Sequence, residues 1–199
     1  MVITIDGYSW LGKSYIAKKL SMACGFRYLS TGMLVRYTAE KTADFIRQGH
    51  SFDFAIEKAL CNAETSGIDS IILHGKLDDP ETEKYLSEVE KSPNAINRLH
   101  AMTRQYSQGK NIILDGHYNF LLFPDAYKCF YFSSCKENRI SLVQCVKKCS
   151  YEEAEHYIDF RDSFERITVL PESVDVIDPF SMSEQELLEY LKSNIVQTH

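Results

Sequence analysis

Eight consecutive residues near the N-terminus have the types and spacing that phosphate binding requires. They read Gly7-Tyr8-Ser9-Trp10-Leu11-Gly12-Lys13-Ser14, which is the pattern G-x-x-x-x-G-K-[ST]. Glycines let backbone N–H groups turn inward toward a phosphate, and the helix that follows adds its positive N-terminal end. Lys13 is expected to reach the β- and γ-phosphates, and the Ser14 hydroxyl to bind Mg²⁺. The pattern predicts a nucleoside triphosphate site formed by all eight residues.

Trp10 is unusual in such a loop because this place is normally given to a small residue. An indole cannot enter the phosphate cradle, so we expect it on the outer side of the loop, near the acceptor or a lid. The alternative is that Trp10 packs against a neighbouring helix and braces the loop.

An acid at the end of a later apolar run is a further candidate. Asp115 closes the run Ile112-Ile113-Leu114, which is apolar on both faces and therefore typical of a central parallel strand covered by helices. Ligands bind beyond the carboxyl ends of such strands. We expect Asp115 to hold Mg²⁺ directly or through water. The alternative is an aspartate that caps the next turn.

These candidates need strands that end at one edge of a sheet, and the chain carries the corresponding pattern. Short β-rich runs alternate with amphipathic helical patterns, which predicts an α/β doubly wound sheet. The predicted strands are residues 2–5, 26–29, 111–116, 129–132 and 174–177. The predicted helices are residues 13–24, 33–48, 52–65, 82–90, 95–108, 136–148 and 152–166, with a last helix after Ser183.

A segment of about 68–108 interrupts this alternation and is predicted to be an insert or subdomain. It begins with Ile71-Ile72-Leu73, then His74-Gly75-Lys76, then Leu77. Two apolar stretches on either side of a glycine-containing triplet predict a small hairpin.

Composition excludes several classes of protein. The 199 residues carry 22 Lys and Arg against 28 Asp and Glu, a formal net charge of −6, which argues against a nucleic-acid partner bound through a broad basic face. No apolar run approaches the roughly 18 residues of a membrane helix, and the N-terminus does not resemble a signal peptide. The six cysteines lack paired metal-ligand spacing, which favours reduced thiols over a zinc site. We therefore expect a cytoplasmic protein without a membrane partner.

Several segments, in order along nearly the whole chain, resemble bacterial cytidylate kinases. Apart from the phosphate loop, they begin with Tyr28-Leu29-Ser30-Thr31-Gly32, followed by Arg36 four residues after the glycine. The later ones are His74-Gly75-Lys76, Ile113-Leu114-Asp115-Gly116, Phe123-Pro124-Asp125-Ala126, Arg161-Asp162 and Val176-Ile177-Asp178. The phosphate loop alone would not be specific to this family.

The resemblance implies a P-loop kinase fold with about five parallel strands and helices on both faces. It implies a core of about 1–37 and 109–199, an acceptor subdomain of about 38–108 and a lid of about 138–152. The implied reaction is phosphoryl transfer from ATP, with Mg²⁺, to a pyrimidine nucleoside monophosphate. The protein is expected to be a monomer or a weak homo-oligomer.

The resemblance also implies roles for residues outside the phosphate loop. Arg139 and Arg161 would neutralise charge on the transferring group, because planar guanidinium groups match phosphate oxygens. A surface salt bridge is the alternative for each. The acceptor would meet Ser30, Thr31, Gly32, Arg36, His117, Tyr118 and Glu165. A structural role at a strand end is the alternative for His117, and packing in the core is the alternative for Tyr118.

The chain departs from the family pattern where the acceptor would bind. Ser30 stands in place of an aspartate, and His117-Tyr118 stands in place of an Arg-Asp pair. Thr168 replaces a final arginine, and the insert is short. Two alternatives follow: a kinase of another small molecule or modified nucleotide, and a nucleotide-binding regulatory protein with little turnover. The intact Lys13, Ser14 and Asp115 argue against the regulatory protein.

Overall fold

Five strands form one sheet in the computed structural model, which describes residues 1–74, 80–163 and 169–196. They are β1 (Val2–Gly7), β2 (Arg27–Ser30), β3 (Ile112–Asp115), β4 (Lys128–Phe132) and β5 (Val174–Ile177). Their order is β2-β3-β1-β4-β5. Strand β1 pairs in parallel with β3 and with β4, and β4 pairs in parallel with β5. The predicted α/β sheet of five strands is confirmed.

Ten helices are present among the described residues. They are α1 (Lys13–Cys24), α2 (Thr31–Arg47), α3 (Phe52–Ser66), α4 (Ile68–His74), α5 (Pro80–Lys91), α6 (Pro93–Ser107), α7 (Asn119–Leu122), α8 (Lys136–Lys147), α9 (Tyr151–Asp162) and α10 (Glu184–Val196). None of them is both long and apolar enough to span a membrane.

The chain divides into two compact units, Met1–Tyr28 with Lys110–His199, and Leu29–Gly109. The first, which we call the sheet unit, has its main core where β1 and β4 pack against α1 and α10. Ile3, Ile5 and Phe130 in this core have no solvent exposure. Burial of both faces of β3 and β4 explains why these two strands are nearly continuous apolar runs.

The second unit, which we call the helical unit, consists of α2 to α6. Here α2 packs against both α3 and α5. Arg98 on α6 donates two hydrogen bonds to Glu64 and one to Glu57, both on α3, at 2.6–2.7 Å. The hydroxyl of Tyr37 donates a 2.8 Å hydrogen bond to Asn62, which joins α2 to α3.

The predicted hairpin at residues 68–79 is wrong. Residues 68–74 form α4, and Ile68 and Ile71, three positions apart, are both buried. That spacing places both side chains on one face of a helix, whereas a strand would point them to opposite faces. The remainder of the predicted hairpin, residues 75–79 with Gly75, Lys76 and Leu77, lies outside the described residues.

Candidate active site

The phosphate loop starts at a glycine that no other residue can replace without displacing a neighbour. Gly7 pairs with Phe132 across β1 and β4 and has a φ of 131°. A Cβ atom built on Gly7 would lie 2.0 Å from the carbonyl oxygen of Phe132. The close approach of the two strands therefore excludes a side chain here.

The second glycine of the loop begins helix α1. Gly12 has a φ of 71° and is the N-cap residue, and its carbonyl oxygen accepts a 3.0 Å hydrogen bond from the Ile16 N–H. Lys13 and Ser14 are the first two helical residues, where the helix dipole favours an anion. The Lys13 ammonium group donates a 2.5 Å hydrogen bond to the carbonyl of Tyr8, so its side chain curls back over the loop.

Trp10 also has a left-handed backbone, with a φ of 62°. That conformation costs a residue with a side chain about 1–2 kcal/mol. The indole packs edge-to-face against Tyr157 on α9, with ring centroids 5.8 Å apart. The Lys147 ammonium group lies 5.7 Å from the Trp10 ring and 4.3 Å from the Tyr157 ring. Each aromatic or cation–π contact contributes about 0.5–1.5 kcal/mol, enough together to offset the backbone cost.

Arg139 and Arg161 both contact the phosphate loop from α8 and α9. The guanidinium group of Arg139 lies 4.8 Å over the Tyr8 ring and donates hydrogen bonds of 2.7 and 2.6 Å to both carboxylate oxygens of Asp162. The Nε atom of Arg161 lies 3.5 Å from the Ser9 hydroxyl. Both arginines are buried. The salt bridge of Arg139 joins its buried guanidinium group to a carboxylate that is 27% exposed.

Asp6 is a buried acid that the sequence did not single out. Its carboxylate accepts hydrogen bonds from the backbone N–H of Asn119 at 2.9 Å, the amide of Asn119 at 3.0 Å and the backbone N–H of Phe120 at 3.0 Å. The Asp6 carboxylate therefore binds the free N–H groups at the N-terminus of α7. Burial raises the pKa of Asp6 from its usual 3.8 to about 6, although these hydrogen bonds act to lower it. The only available signal was its place directly before Gly7.

Asp115 lies at the same edge of the sheet as the phosphate loop. It ends β3 opposite Ile5 of β1, and the Gly116 N–H donates a 3.2 Å hydrogen bond to the Ile5 carbonyl. The carboxylate is buried and accepts a 3.2 Å hydrogen bond from the Tyr28 hydroxyl. Asp115 and the phosphate loop therefore lie at the carboxyl ends of two adjacent parallel strands, the edge at which ligands bind in such sheets.

The donor atoms at this edge fit Mg²⁺ held together with a nucleotide. Ser14 offers a hydroxyl oxygen and Asp115 a carboxylate, the hard ligands that Mg²⁺ prefers. Within the described ranges, no group of three His, Cys, Asp or Glu side chains forms a metal cage. Mg²⁺ is usually bound through one or two protein oxygens, with phosphates and water completing its shell. The chemistry of the site therefore fits this ion.

His117 and Tyr118 lie in the short connection between β3 and α7. Their rings are 6.1 Å apart, and both side chains are partly buried. Tyr118 packs against a small apolar cluster that includes Phe120 and Tyr131, so part of its ring has the core role offered as an alternative. Glu165, and with it Thr168, lies outside the described residues.

The remaining predicted acceptor residues form the start of α2 in the helical unit. Ser30 is the N-cap residue, and Thr31 and Gly32 form the first turn. The Arg36 Nη1 atom lies 3.5 Å from the position of a Cβ built on Gly32, so the guanidinium group folds back over this turn. Among the described residues, no hydrogen-bond partner is found for the buried Arg36 Nε.

Comparison with known proteins gives a consistent result. A family model described as cytidylate kinase matches residues 3–197. A cytidylate kinase of Thermodesulfovibrio yellowstonii is 28% identical, over 98% of this chain and 98% of that protein. One of Thermotoga neapolitana is 31% identical, over 94% and 93%.

Among solved structures, a gluconokinase from Sinorhizobium meliloti 1021 superimposes with a TM-score of 0.56, at 12% identity, over 100% of this chain and 97% of that chain. At this identity the likeness shows the fold alone, and the fold is that of a P-loop kinase. The sequence match covers nearly the whole chain, and the predicted loop, Ser14 and Asp115 lie at one sheet edge. The chain is therefore a P-loop kinase that uses ATP and Mg²⁺, and it belongs to the cytidylate kinase family as a divergent member.

Proposed function

We propose that this kinase transfers the γ-phosphoryl group of ATP to the phosphate of a pyrimidine nucleoside monophosphate. The observation that carries the proposal is the complete phosphate loop, with Lys13 and Ser14 at the start of α1, beside Asp115 at the end of β3. A phosphate oxygen of the acceptor attacks the γ-phosphorus, and the bond to the β–γ bridging oxygen breaks, releasing ADP. Little covalent assistance is needed, so positioning and charge neutralisation provide the catalysis.

Each residue of the sheet unit then has a definite task. The backbone N–H groups of residues 7–14 bind the phosphates of ATP, and the Lys13 ammonium group moves from the Tyr8 carbonyl to the β- and γ-phosphates. Arg161, already beside Ser9, contributes positive charge next to the loop. Arg139, over Tyr8, would do so by exchanging its ion pair with Asp162 for phosphate oxygens. Ser14 and Asp115 would hold Mg²⁺, which when bound neutralises charge on the β- and γ-phosphates.

Arg36 is assigned to the acceptor phosphate. Its buried Nε atom has hydrogen-bonding capacity that the described residues do not fill, and a guanidinium group binds phosphate oxygens in pairs. Ser30, Thr31 and Gly32 form the helix start over which Arg36 folds. We assign this turn to the acceptor. The assignment of His117, Tyr118 and Glu165 to its sugar and base is supported by the family resemblance alone. Residues 138–152 would form the lid.

A second acceptor class is supported by specific residues. Ser30 has a neutral hydroxyl and Tyr118 a half-buried phenol where the related bacterial kinases carry charged groups. Charged groups that hydrogen-bond a base reject the wrong base by two to four orders of magnitude, roughly, and their loss removes that discrimination. A modified nucleotide or a non-nucleotide metabolite with a phosphate or hydroxyl group is therefore the second candidate.

The proposal is tested by ADP release from Mg²⁺ and ATP in a coupled assay, with CMP, dCMP, UMP, AMP and small hydroxyl compounds as acceptors. Turnover with pyrimidine monophosphates supports the proposal, and we expect CMP to be preferred over UMP and AMP by less than about 100-fold. Turnover only with another acceptor supports the second candidate. Absence of turnover with every acceptor, while ATP still binds, would indicate a regulatory nucleotide-binding protein.

We propose that the enzyme works in the cytoplasm, as a monomer or a weak homo-oligomer. The use of ATP supports this compartment, and so do the six free cysteines, because an oxidising compartment would favour disulfides. Size-exclusion chromatography coupled to light scattering, with and without ATP, measures the oligomeric state.

A further inference from the structure

Three consecutive loop residues each contact the pair formed by α8 and α9, which we call the α8–α9 pair. Tyr8 lies under Arg139, Ser9 lies beside Arg161, and Trp10 packs against Tyr157. The phosphate loop adjoins β1 and α1 in sequence, yet the side chains of its first half are directed toward helices more than 120 residues later. Three adjacent contacts of different chemistry form a continuous interface.

The α8–α9 pair is held together by its own interactions. Ile140 and Val143 on α8 pack against Ala154 and Ile158 on α9, and all four side chains are buried. The bidentate ion pair between Arg139 and Asp162 links the same two helices. The Trp10 indole packs against the edge of this cluster. The loop therefore contacts two helices that also pack against each other.

The contact with Trp10 bears directly on the shape of the loop. Trp10 and Gly12 both have left-handed backbones, at φ 62° and 71°. Gly12 adopts this conformation at no steric cost, whereas Trp10 needs a compensating interaction. Tyr157 and Lys147 provide that interaction. If the indole is released, residue 10 relaxes toward negative φ, and the peptide groups before Lys13 change direction.

We propose that Trp10 is a positioning residue, held by Tyr157 and Lys147, through which the α8–α9 pair sets the affinity of the loop for ATP. The inference rests on the proposed function, since it takes residues 7–14 to be the ATP site. It adds a second group of residues, outside the phosphate-loop motif, that determines how well the motif binds its ligand. Movement of the α8–α9 pair would change ATP affinity through the same contact.

The test compares substitutions on α9 alone, so the phosphate loop keeps its sequence. Tyr157→Leu removes the ring that faces Trp10, Tyr157→Phe keeps it, and Phe160→Leu removes a ring at an exposed position of the same helix. For each variant we would measure the dissociation constant of Mg²⁺ and a non-hydrolysable ATP analogue by calorimetry, the KM of the acceptor and the melting temperature. Trp10 is the only tryptophan, so its emission directly reports its surroundings.

We expect Tyr157→Leu to weaken binding of the ATP analogue about threefold to tenfold, the equivalent of one aromatic contact. The Trp10 emission of this variant should shift to the red, and its KM for the acceptor should stay within about twofold of the wild-type value. Tyr157→Phe should retain wild-type analogue binding, and Phe160→Leu should match the wild type. A merely structural role for Tyr157 would lower the melting temperature without separating ATP affinity from acceptor affinity.

Equal analogue affinity in Tyr157→Leu and the wild type would overturn the inference, even if the emission shifts. A loss of affinity that Tyr157→Phe does not restore would also overturn it, because the ring would not be the cause. A wild-type chain that binds no ATP would overturn the proposed function and this inference together. The calorimetric result for the wild type distinguishes that failure from the other two.

Discussion

The sheet unit and the helical unit differ in how their candidate residues are held in place. In the sheet unit, Tyr8, Ser9 and Trp10 of the phosphate loop each contact a residue of α8 or α9. In the helical unit, Arg36 folds back over Gly32, at the start of its own helix. The difference indicates that contacts between elements distant in the sequence position the proposed ATP site, whereas contacts within one helix position the proposed acceptor residues.

Gly7 of the sheet unit and Gly32 of the helical unit differ in how much space surrounds them, and this gives the largest expected effect. Gly7→Ala should destabilise the fold by more than about 3 kcal/mol, because its Cβ would meet the Phe132 carbonyl at 2.0 Å. Gly32→Ala should be neutral or stabilising, since its Cβ would lie 3.5 Å or more from its neighbours within a helix. Urea unfolding of both variants measures this. Similar stabilities for the two would contradict the comparison.

Catalysis should depend on Lys13 more than on any other cation of α1. Lys13→Ala is expected to lower kcat at least about 100-fold, because a positioned cation at the transferring group is a large electrostatic contribution. Lys18→Ala, an exposed position on the same helix, is the matched control and should retain full activity. ADP release and melting temperature are measured for both. Near-normal turnover of Lys13→Ala would contradict the assignment of the phosphate loop as the ATP site.

The buried charge of the sheet unit should appear as a pH dependence of stability. The pKa of Asp6 is raised from 3.8 to about 6 in the folded protein. The contribution of the protonated carboxyl group to the free energy of unfolding is therefore fully present below about pH 4 and is lost as the pH rises through 6. A difference of about two pH units corresponds to about 3 kcal/mol.

Asp6→Asn mimics the protonated carboxyl and removes this titration. The free energy of unfolding of the wild type, minus that of Asp6→Asn, should therefore fall by about 2–3 kcal/mol between pH 4 and pH 7. Urea unfolding across this range measures the difference. A constant difference would show that Asp6 does not titrate in this window.

The smallest predicted effect concerns Arg36 in the helical unit. Arg36→Ala should raise the KM of the best acceptor at least about tenfold and leave the dissociation constant of ATP unchanged, because a charge-assisted pair of hydrogen bonds to phosphate is lost. Arg47→Ala, an exposed arginine on the same helix, serves as the control. Should ATP binding weaken as much as acceptor binding, Arg36 would not belong to a separate acceptor site.

The parts of the site that depend on local sequence could be predicted. Residues 7–14 span the end of a strand, a loop and the start of a helix, and Asp115 ends a strand. Both could be predicted because they depend on short-range patterns and on a general property of parallel sheets. Asp6 and α7 could not be predicted. The helix has four residues, and the acid that receives it lies 113 positions earlier.

The error at α4 has a different physical origin. Ile71-Ile72-Leu73 is apolar at three consecutive positions, so neither the period of a strand nor that of a helix is visible in it. Packing within the helical unit decided the outcome by burying Ile68 and Ile71. The ion pair between Arg139 and Asp162 could not be predicted either, because no sequence spacing indicates that these two residues are in contact.

The order of strands in the sheet has a consequence for synthesis of the chain. Strand β1 pairs with β3 and β4. Val2 therefore cannot pair until Ile112 has been synthesised, and Ile3 cannot pair with β4 until Lys128 has been synthesised. At about 5–20 residues per second, a ribosome needs roughly 6–25 s to reach these partners, whereas helices form within microseconds. The helices between them can therefore form while the apolar β1 is still unpaired. The strand that precedes the phosphate loop is synthesised before the other four strands and paired late, so its apolar side chains stay exposed on the nascent chain for several seconds.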